Sequence, residues 1–145
     1  MSQRSVGIRQ YVYFALWSSS VSAAEIEAQL RLEPDEILVR GERQADPPVP
    51  VEHKWAIASR ESLLRIGDQA RSVLERVRPV EEKIRELVLS GACTATLQIV
   101  RIYEPAPELD GRLIANPELL GFHLTPDDVA FLARVCAAID QDEVE

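Results

Sequence analysis

Residues 10–17, QYVYFALW, decide the fold of this 145-residue chain. Apolar or aromatic side chains fill both sets of alternating positions: Val12, Phe14 and Leu16 in one set, Tyr11, Tyr13, Ala15 and Trp17 in the other. Successive side chains of a β-strand point to opposite faces of the sheet, so this period of two predicts a strand. Because neither set is polar, we expect a central strand whose two faces are both covered.

The residues that follow this strand carry clear helix start and stop signals. Ser22 and Glu25 have the spacing of a capping box, in which each side chain satisfies the backbone N–H of the other residue. Pro34 ends that helix, because the residue before a proline avoids the helical conformation. Thr125 begins another helix, since a proline and two aspartates come directly after it.

These signals place the elements in the order β-α-β-β-α-β-α. The predicted strands cover 10–17, 36–40, 51–59 and 94–103, and the predicted helices begin at Ser22, span 61–90 in two pieces around Pro79, and begin at Thr125. The order predicts an α+β fold, a ferredoxin-like β-α-β-β-α-β antiparallel sheet with its helices on one face and an extra C-terminal helix. The last residues form either a frayed tail or a short final strand.

The length fits one domain, which we predict to cover residues 1–145. We expect a flexible N-terminus over 1–9, loops over 41–52 and 104–121, and an acidic tail over 140–145. The first loop contains three prolines, and a proline has no N–H to donate to a strand ladder.

The element order, together with Tyr11, Pro34, Gly41, Trp55 and the helix after Thr125, resembles the bacterial family known as domain of unknown function 4279. The resemblance covers about residues 10–142. It implies a chain that ends in a short acidic strand with a tyrosine, whereas this chain has Asp140, Asp142 and Val144 there. It implies no activity, cofactor or catalytic residue.

Charge and hydropathy exclude several classes of function. The formal net charge is −8, and ten acidic against two basic residues in 102–145 account for it. A chain this acidic lacks the basic surface that nucleic acids require. The first ten residues have no apolar core of a signal peptide, and no stretch is long enough to span a membrane. We therefore expect a cytoplasmic protein that binds neither membrane nor nucleic acid.

The sequence contains no recognisable catalytic motif. It has neither a nucleophile elbow nor a phosphate-binding glycine loop, and its two histidines lack metal-ligand spacing. We predict no catalytic residue, no metal and no cofactor, and the sequence favours a protein that is not an enzyme. Cys93 and Cys136 are both expected to be buried hydrophobes.

The aromatic side chains at odd-numbered positions of the first strand form an apolar surface that we expect to be covered. Tyr11, Tyr13 and Trp17 are expected on the sheet face away from the helices, and Val100, Ile102 and Trp55 are expected to join them. A large apolar patch on a surface marks a contact site. Residues 125–145 folding across it are the simplest cover, and a second copy of the chain, a ligand or a polypeptide are the alternatives.

Two functions follow from these patterns. The first is a non-catalytic protein-interaction module, either a homodimer or an immunity-type inhibitor whose carboxylates bind a basic partner. The alternative is a small-molecule or anion site between the sheet face and the 41–53 loop, lined by Arg43, His53, Trp55 and Tyr103. The basic side chains near that loop are better explained by pairing with acidic neighbours, since surface ion pairs of this kind are common.

Overall fold

The fold is a five-stranded mixed sheet with helices packed on one face. The computed structural model describes residues 6–61, 64–105, 119 and 121–144. The elements in chain order are β1 (Val6–Ser18), α1 (Ala23–Leu30), β2 (Glu36–Leu38), β3 (His53–Ser59), α2 (Ile66–Val77), a 3₁₀ turn (Arg78–Val80), α3 (Glu81–Leu89), β4 (Thr94–Pro105), α4 (Pro126–Arg134) and β5 (Ala138–Val144).

The strands lie in the order β2-β3-β1-β4-β5, with β1 at the centre. β1 is antiparallel to both of its neighbours, and Val12 lies opposite Ser59 of β3 and Ile99 of β4. β5 runs parallel to β4, and α4 supplies the crossover connection that a parallel pair requires. The predicted α+β class is confirmed. A ferredoxin-like sheet is antiparallel throughout, so that finer prediction is not confirmed for this partly parallel sheet.

The core lies between the sheet and the helices. Val12, Phe14 and Leu16 of β1 are fully buried and pack against apolar residues of all four α-helices. The rings of Phe14 and Phe131 lie 6.3 Å apart, centroid to centroid, so α4 lies on this same face. The expectation that residues 125–145 fold across the aromatic face is therefore wrong, because α4 joins the core and the residues after it form a strand.

Several predicted boundaries change in the structure. β1 begins at Val6, so residues 6–9 belong to the sheet rather than to a flexible terminus, and residues 1–5 lie outside the described part. β4 extends to Pro105, while most of the predicted loop over 104–121 lies outside the described residues. The acidic tail forms β5 up to Val144.

The two cysteines have different environments. Cys93 is buried before β4, as predicted, and burial raises the pKa of its thiol. Cys136 is exposed, which corrects the prediction that it packs in the core. It follows the end of α4 and has a φ of 56°, so the chain has already left the helix and turns there toward β5.

Candidate functional site

The face of the sheet opposite the helices carries the aromatic residues that the sequence singled out. Tyr11, Tyr13 and Trp17 of β1 lie on it beside Val100 and Ile102 of β4, and we call these five residues the open face. All five are half-buried, and none belongs to the core cluster against which the helices pack. No helix that the structure describes packs on them.

A buried lysine borders the open face on the β3 side. The ammonium of Lys54 lies 4.0 Å from the ring centroid of Tyr13 and 5.5 Å from that of Trp17. Only 8% of Lys54 is exposed, and its Nζ lies 3.1 Å from a carboxylate oxygen of Glu36, which also pairs with Arg60. The cation over two ring faces and the ion pair hold both aromatic side chains in fixed positions.

The opposite border of the open face is acidic. Register places Asp142 of β5 beside Val100 of β4, which lies beside Tyr11 of β1, and places Asp140 beside Gln98, which lies beside Tyr13. Each carboxylate therefore extends a row of side chains that runs across the strands and contains a tyrosine. Burial raises the pKa of the Tyr13 phenol, and the negative charges of Glu36, Asp142 and Asp140 raise it further.

A small hollow of about 90 Å³ interrupts the open face. Tyr11, Tyr13 and Val100 line it, together with Glu36 and Arg60. This volume lies below the 300 Å³ or more that small-molecule pockets usually measure.

The residues proposed for the alternative site do not come together. Trp55 is fully buried on the helix side of the sheet, where its Nε1 donates to the carbonyl of Leu32 at 3.3 Å. His53 pairs with Ser18 at one end of β1, and Tyr103 pairs with Ile8 near the other end. Ten residues of strand separate the two pairs, which is about 33 Å.

His53 and Arg43 form contacts with residues of the adjoining loop. The Nδ1 atom of His53 accepts a hydrogen bond from the backbone N–H of Arg40 at 3.0 Å. Arg43 forms an isolated bridge with Val49, and its side chain is exposed. These contacts fix the path of the 41–53 loop.

Sequence reasoning recognised the acidic tail over 140–145 and the pairing of Lys54 with nearby acids, but it did not place Lys54, Glu36, Asp140 and Asp142 on the borders of the open face. The position of Lys54 in a largely apolar strand indicated a specific partner, because a lysine that is buried there must be paired with a negative charge. The role of the two aspartates depends on the pairing of β5 with β4, and neither segment alone indicates that pairing.

A second polar cluster lies buried on the helix side of the sheet. Arg101 donates to the side-chain oxygen of Gln10 and to the backbone carbonyls of Leu119 and Gly121. Gln69 donates to the carbonyls of Gln10 and Leu64. These bonds link α2 and β4 to β1.

The described part of the chain contains no group of three or more His, Cys, Asp or Glu residues that could hold a metal ion. None of its helices has both the length and the apolar character needed to cross a membrane.

The family model described as domain of unknown function (DUF4279) matches residues 8–144, which is nearly the whole chain. The protein belongs to the DUF4279 family. Neither a curated protein nor a solved structure matches it significantly. The DUF4279 match extends from β1 to the end of β5, so the aromatic residues and the acidic strand beside them both lie inside the family domain.

Proposed function

We propose that this DUF4279 protein is a non-catalytic protein-interaction module that binds a partner protein on its open face. The observation that carries this proposal is the row of Tyr11, Tyr13 and Trp17 on a sheet face over which the described helices do not pack. Tyrosine and tryptophan are enriched at interaction hot spots, because they bury much area and lose little rotamer entropy.

The charges around the open face support a basic partner. Asp140 and Asp142 of β5 form no ion pair with a described cation, whereas Glu36 on the other border pairs with Lys54 and Arg60. A partner with lysine or arginine beside its apolar contact would be attracted by these carboxylates and oriented by them. Of the two forms of the module, an immunity-type inhibitor of a basic protein fits this charge better than a homodimer does.

The arrangement of the first four strands supports a ferredoxin-like unit within the larger sheet. Their order is β2-β3-β1-β4, and every neighbouring pair among them is antiparallel. On this proposal α4 and β5 are additions that extend the unit at its β4 edge and bring the acidic residues beside the open face.

The test is capture followed by a binding measurement with purified proteins. The immobilised protein is used to isolate partners from cells that contain it, and each candidate is purified and titrated by calorimetry. We expect a basic partner that binds one to one, and we expect Tyr13→Ala and Trp17→Ala to weaken binding by at least tenfold.

Leu89→Ala is the matched control, because Leu89 is an exposed apolar residue of α3 on the helix side of the molecule. Circular dichroism checks that each variant keeps its fold. Binding that is equally sensitive to Leu89→Ala, or insensitive to all three changes, would place the contact elsewhere and overturn the proposal.

A further inference from the structure

We infer that the outer edge of β5, which pairs with no strand among the described residues, accepts an extended, lysine- or arginine-bearing segment of the partner as a sixth strand. This inference rests on the proposed function and specifies the form in which the partner binds. In strand addition, main-chain hydrogen bonds supply affinity, and alternate side chains supply specificity.

The geometry of β5 suits this role. β5 is the last strand in the sheet order, spans seven residues, and is exposed at every position. The opposite edge strand, β2, has only three residues. Long exposed edges are unusual, because their unpaired N–H and C=O groups form a template for another strand. β5 is thus the edge with enough backbone to pair with a partner segment.

One backbone group of β5 already bonds locally. The N–H of Gln141 donates to the carboxylate of the adjacent Asp140 at 3.0 Å. The Asp140 carboxylate is an acceptor within reach of this amide, and backbone donors bond to such acceptors. A sixth strand would offer a carbonyl to this amide and release the Asp140 carboxylate to pair with a cation.

The rows of the sheet decide which side chains a sixth strand would meet. Asp140 continues the row of Tyr13 and Gln98, and Asp142 continues the row of Tyr11 and Val100. Residues directly opposite each other on neighbouring strands lie about 5 Å apart at Cβ. Basic side chains at alternate positions of the added strand would therefore contact both carboxylates, in the same rows as Tyr11 and Tyr13 but three strands, about 14 Å, from those rings.

Charge selects a basic segment over a second copy of this chain. Antiparallel pairing of two β5 strands centred on Gln141 would bring Asp140 of one copy opposite Asp142 of the other, and like charges in opposed positions destabilise a pair. The only polar contact of Asp142 among the described side chains is with the amide of Gln98, at 3.1 Å. Lysine or arginine opposite these carboxylates would convert the repulsion into attraction.

The experiment uses the whole protein, labelled with ¹⁵N, and a capped seven-residue peptide in which lysine and valine alternate. Titration to millimolar peptide is followed by amide chemical shifts and hydrogen exchange. We expect shifts and slower exchange across residues 138–144, with smaller shifts in β4, the strand that pairs with β5. Asp140→Asn with Asp142→Asn should weaken binding about tenfold at low salt.

Two controls separate strand addition from general attraction between charges. Glu75→Gln with Glu82→Gln removes the same charge from exposed helix positions and should leave the affinity unchanged. A peptide N-methylated at alternate residues keeps its charge but loses the donors on one edge, and it should lose most of the binding. Equal binding of the N-methylated peptide, or unchanged β5 amides at millimolar peptide, would overturn the inference.

The inference and the proposed function fail in different ways. If a purified partner depends on Tyr13 and Trp17 but not on Asp140 and Asp142, and leaves the exchange of β5 amides unchanged, the open face binds the partner without strand addition. If neither the Tyr13 and Trp17 variants nor the Asp140 and Asp142 variants weaken the binding of a purified partner, the inference and the proposed function are both wrong.

Discussion

At the scale of single residues, Gly67 shows how a position can be determined by a neighbour that is distant in sequence. It lies in the first turn of α2, and a Cβ built on it would be 2.4 Å from the backbone carbonyl oxygen of His123. Real side chains do not approach a carbonyl so closely, and only glycine lets these two segments meet. The segment that leads into α4 therefore packs directly on the start of α2.

We expect Gly67→Ala to lower the free energy of unfolding by about 1–3 kcal/mol, because the added methyl group forces the backbone of residue 123 to move. Alanine is a better helix former than glycine by about 1 kcal/mol, so without the close contact Gly67→Ala would raise the free energy of unfolding instead of lowering it. Urea denaturation measures it. Ser72→Ala, at an exposed position of the same helix, is the control and should be neutral or slightly stabilising; a stabilised Gly67→Ala would rule out the close contact.

Trp55 shows why some residues could not be placed from the sequence. β3 carries apolar side chains at both alternations, with Trp55 and Ile57 in one set and Ala56 and Ala58 in the other. A strand of this kind fits its sheet in either orientation, and a shift of one residue exchanges its faces. The pairing of Trp55 with Leu16 puts it in the core, whereas Tyr11, Tyr13 and Trp17 lie on the side opposite the helices.

At the scale of elements, the start of α4 joins a local signal to a tertiary contact. The N–H of Asp128 donates to the Thr125 hydroxyl at 3.1 Å, and the N–H of Thr125 donates to the Asp128 carboxylate at 3.4 Å. Arg78, in the 3₁₀ turn after α2, donates to that same carboxylate at 3.0 Å. Only 3% of the Asp128 side chain is exposed, so this ion pair is shielded from solvent.

We expect Thr125→Ala to cost about 1 kcal/mol of stability, the usual effect of removing a helix cap. Asp128→Ala should cost more, about 3 kcal/mol, because it also leaves Arg78 without its partner. Thr125→Ser keeps the hydroxyl and should stay close to the parent protein. Urea unfolding of the three variants gives the order, and equal losses for Thr125→Ala and Asp128→Ala would show that the contact with Arg78 contributes nothing.

The helix starts could be predicted because their signals are local, as Ser22 and Thr125 both show. β5 could only be left open as a tail or a short strand. Aspartate and glutamate are depleted in strands, so Asp140, Asp142 and Glu143 argue against one, and only the ladder with β4 overrides that preference. The aromatic residues of the open face were predictable from β1 alone, whereas its acidic border required the sheet order.

At the scale of the whole molecule, ion pairs join elements that are far apart in sequence. Asp35, directly before β2, accepts from Arg76 of α2 at 2.5 and 3.2 Å, and it also accepts from the backbone N–H of Ala58 in β3 at 2.8 Å. Burial opposes ionisation of this carboxyl group. The hydrogen bonds from Arg76 and Ala58 outweigh burial and hold its pKa below the ordinary value of 3.8. One carboxylate thus connects the β2 edge of the sheet to the helix layer.

This connection predicts how stability depends on pH. Because the folded pKa of Asp35 lies below the unfolded one, its contribution is present above the ordinary value of 3.8 and is lost as pH falls through the folded pKa. At pH 7, Asp35→Asn should cost about 1 kcal/mol, since solvent screens a side chain that is one-third exposed. The deficit relative to the parent protein should shrink as pH falls below 3.8. Urea unfolding at a series of pH values between 7 and 3 measures the stability of the parent protein, of Asp35→Asn and of the control Glu75→Gln. A stability difference between Asp35→Asn and the parent that does not change with pH would mean that the charge of Asp35 is not what stabilises the contact.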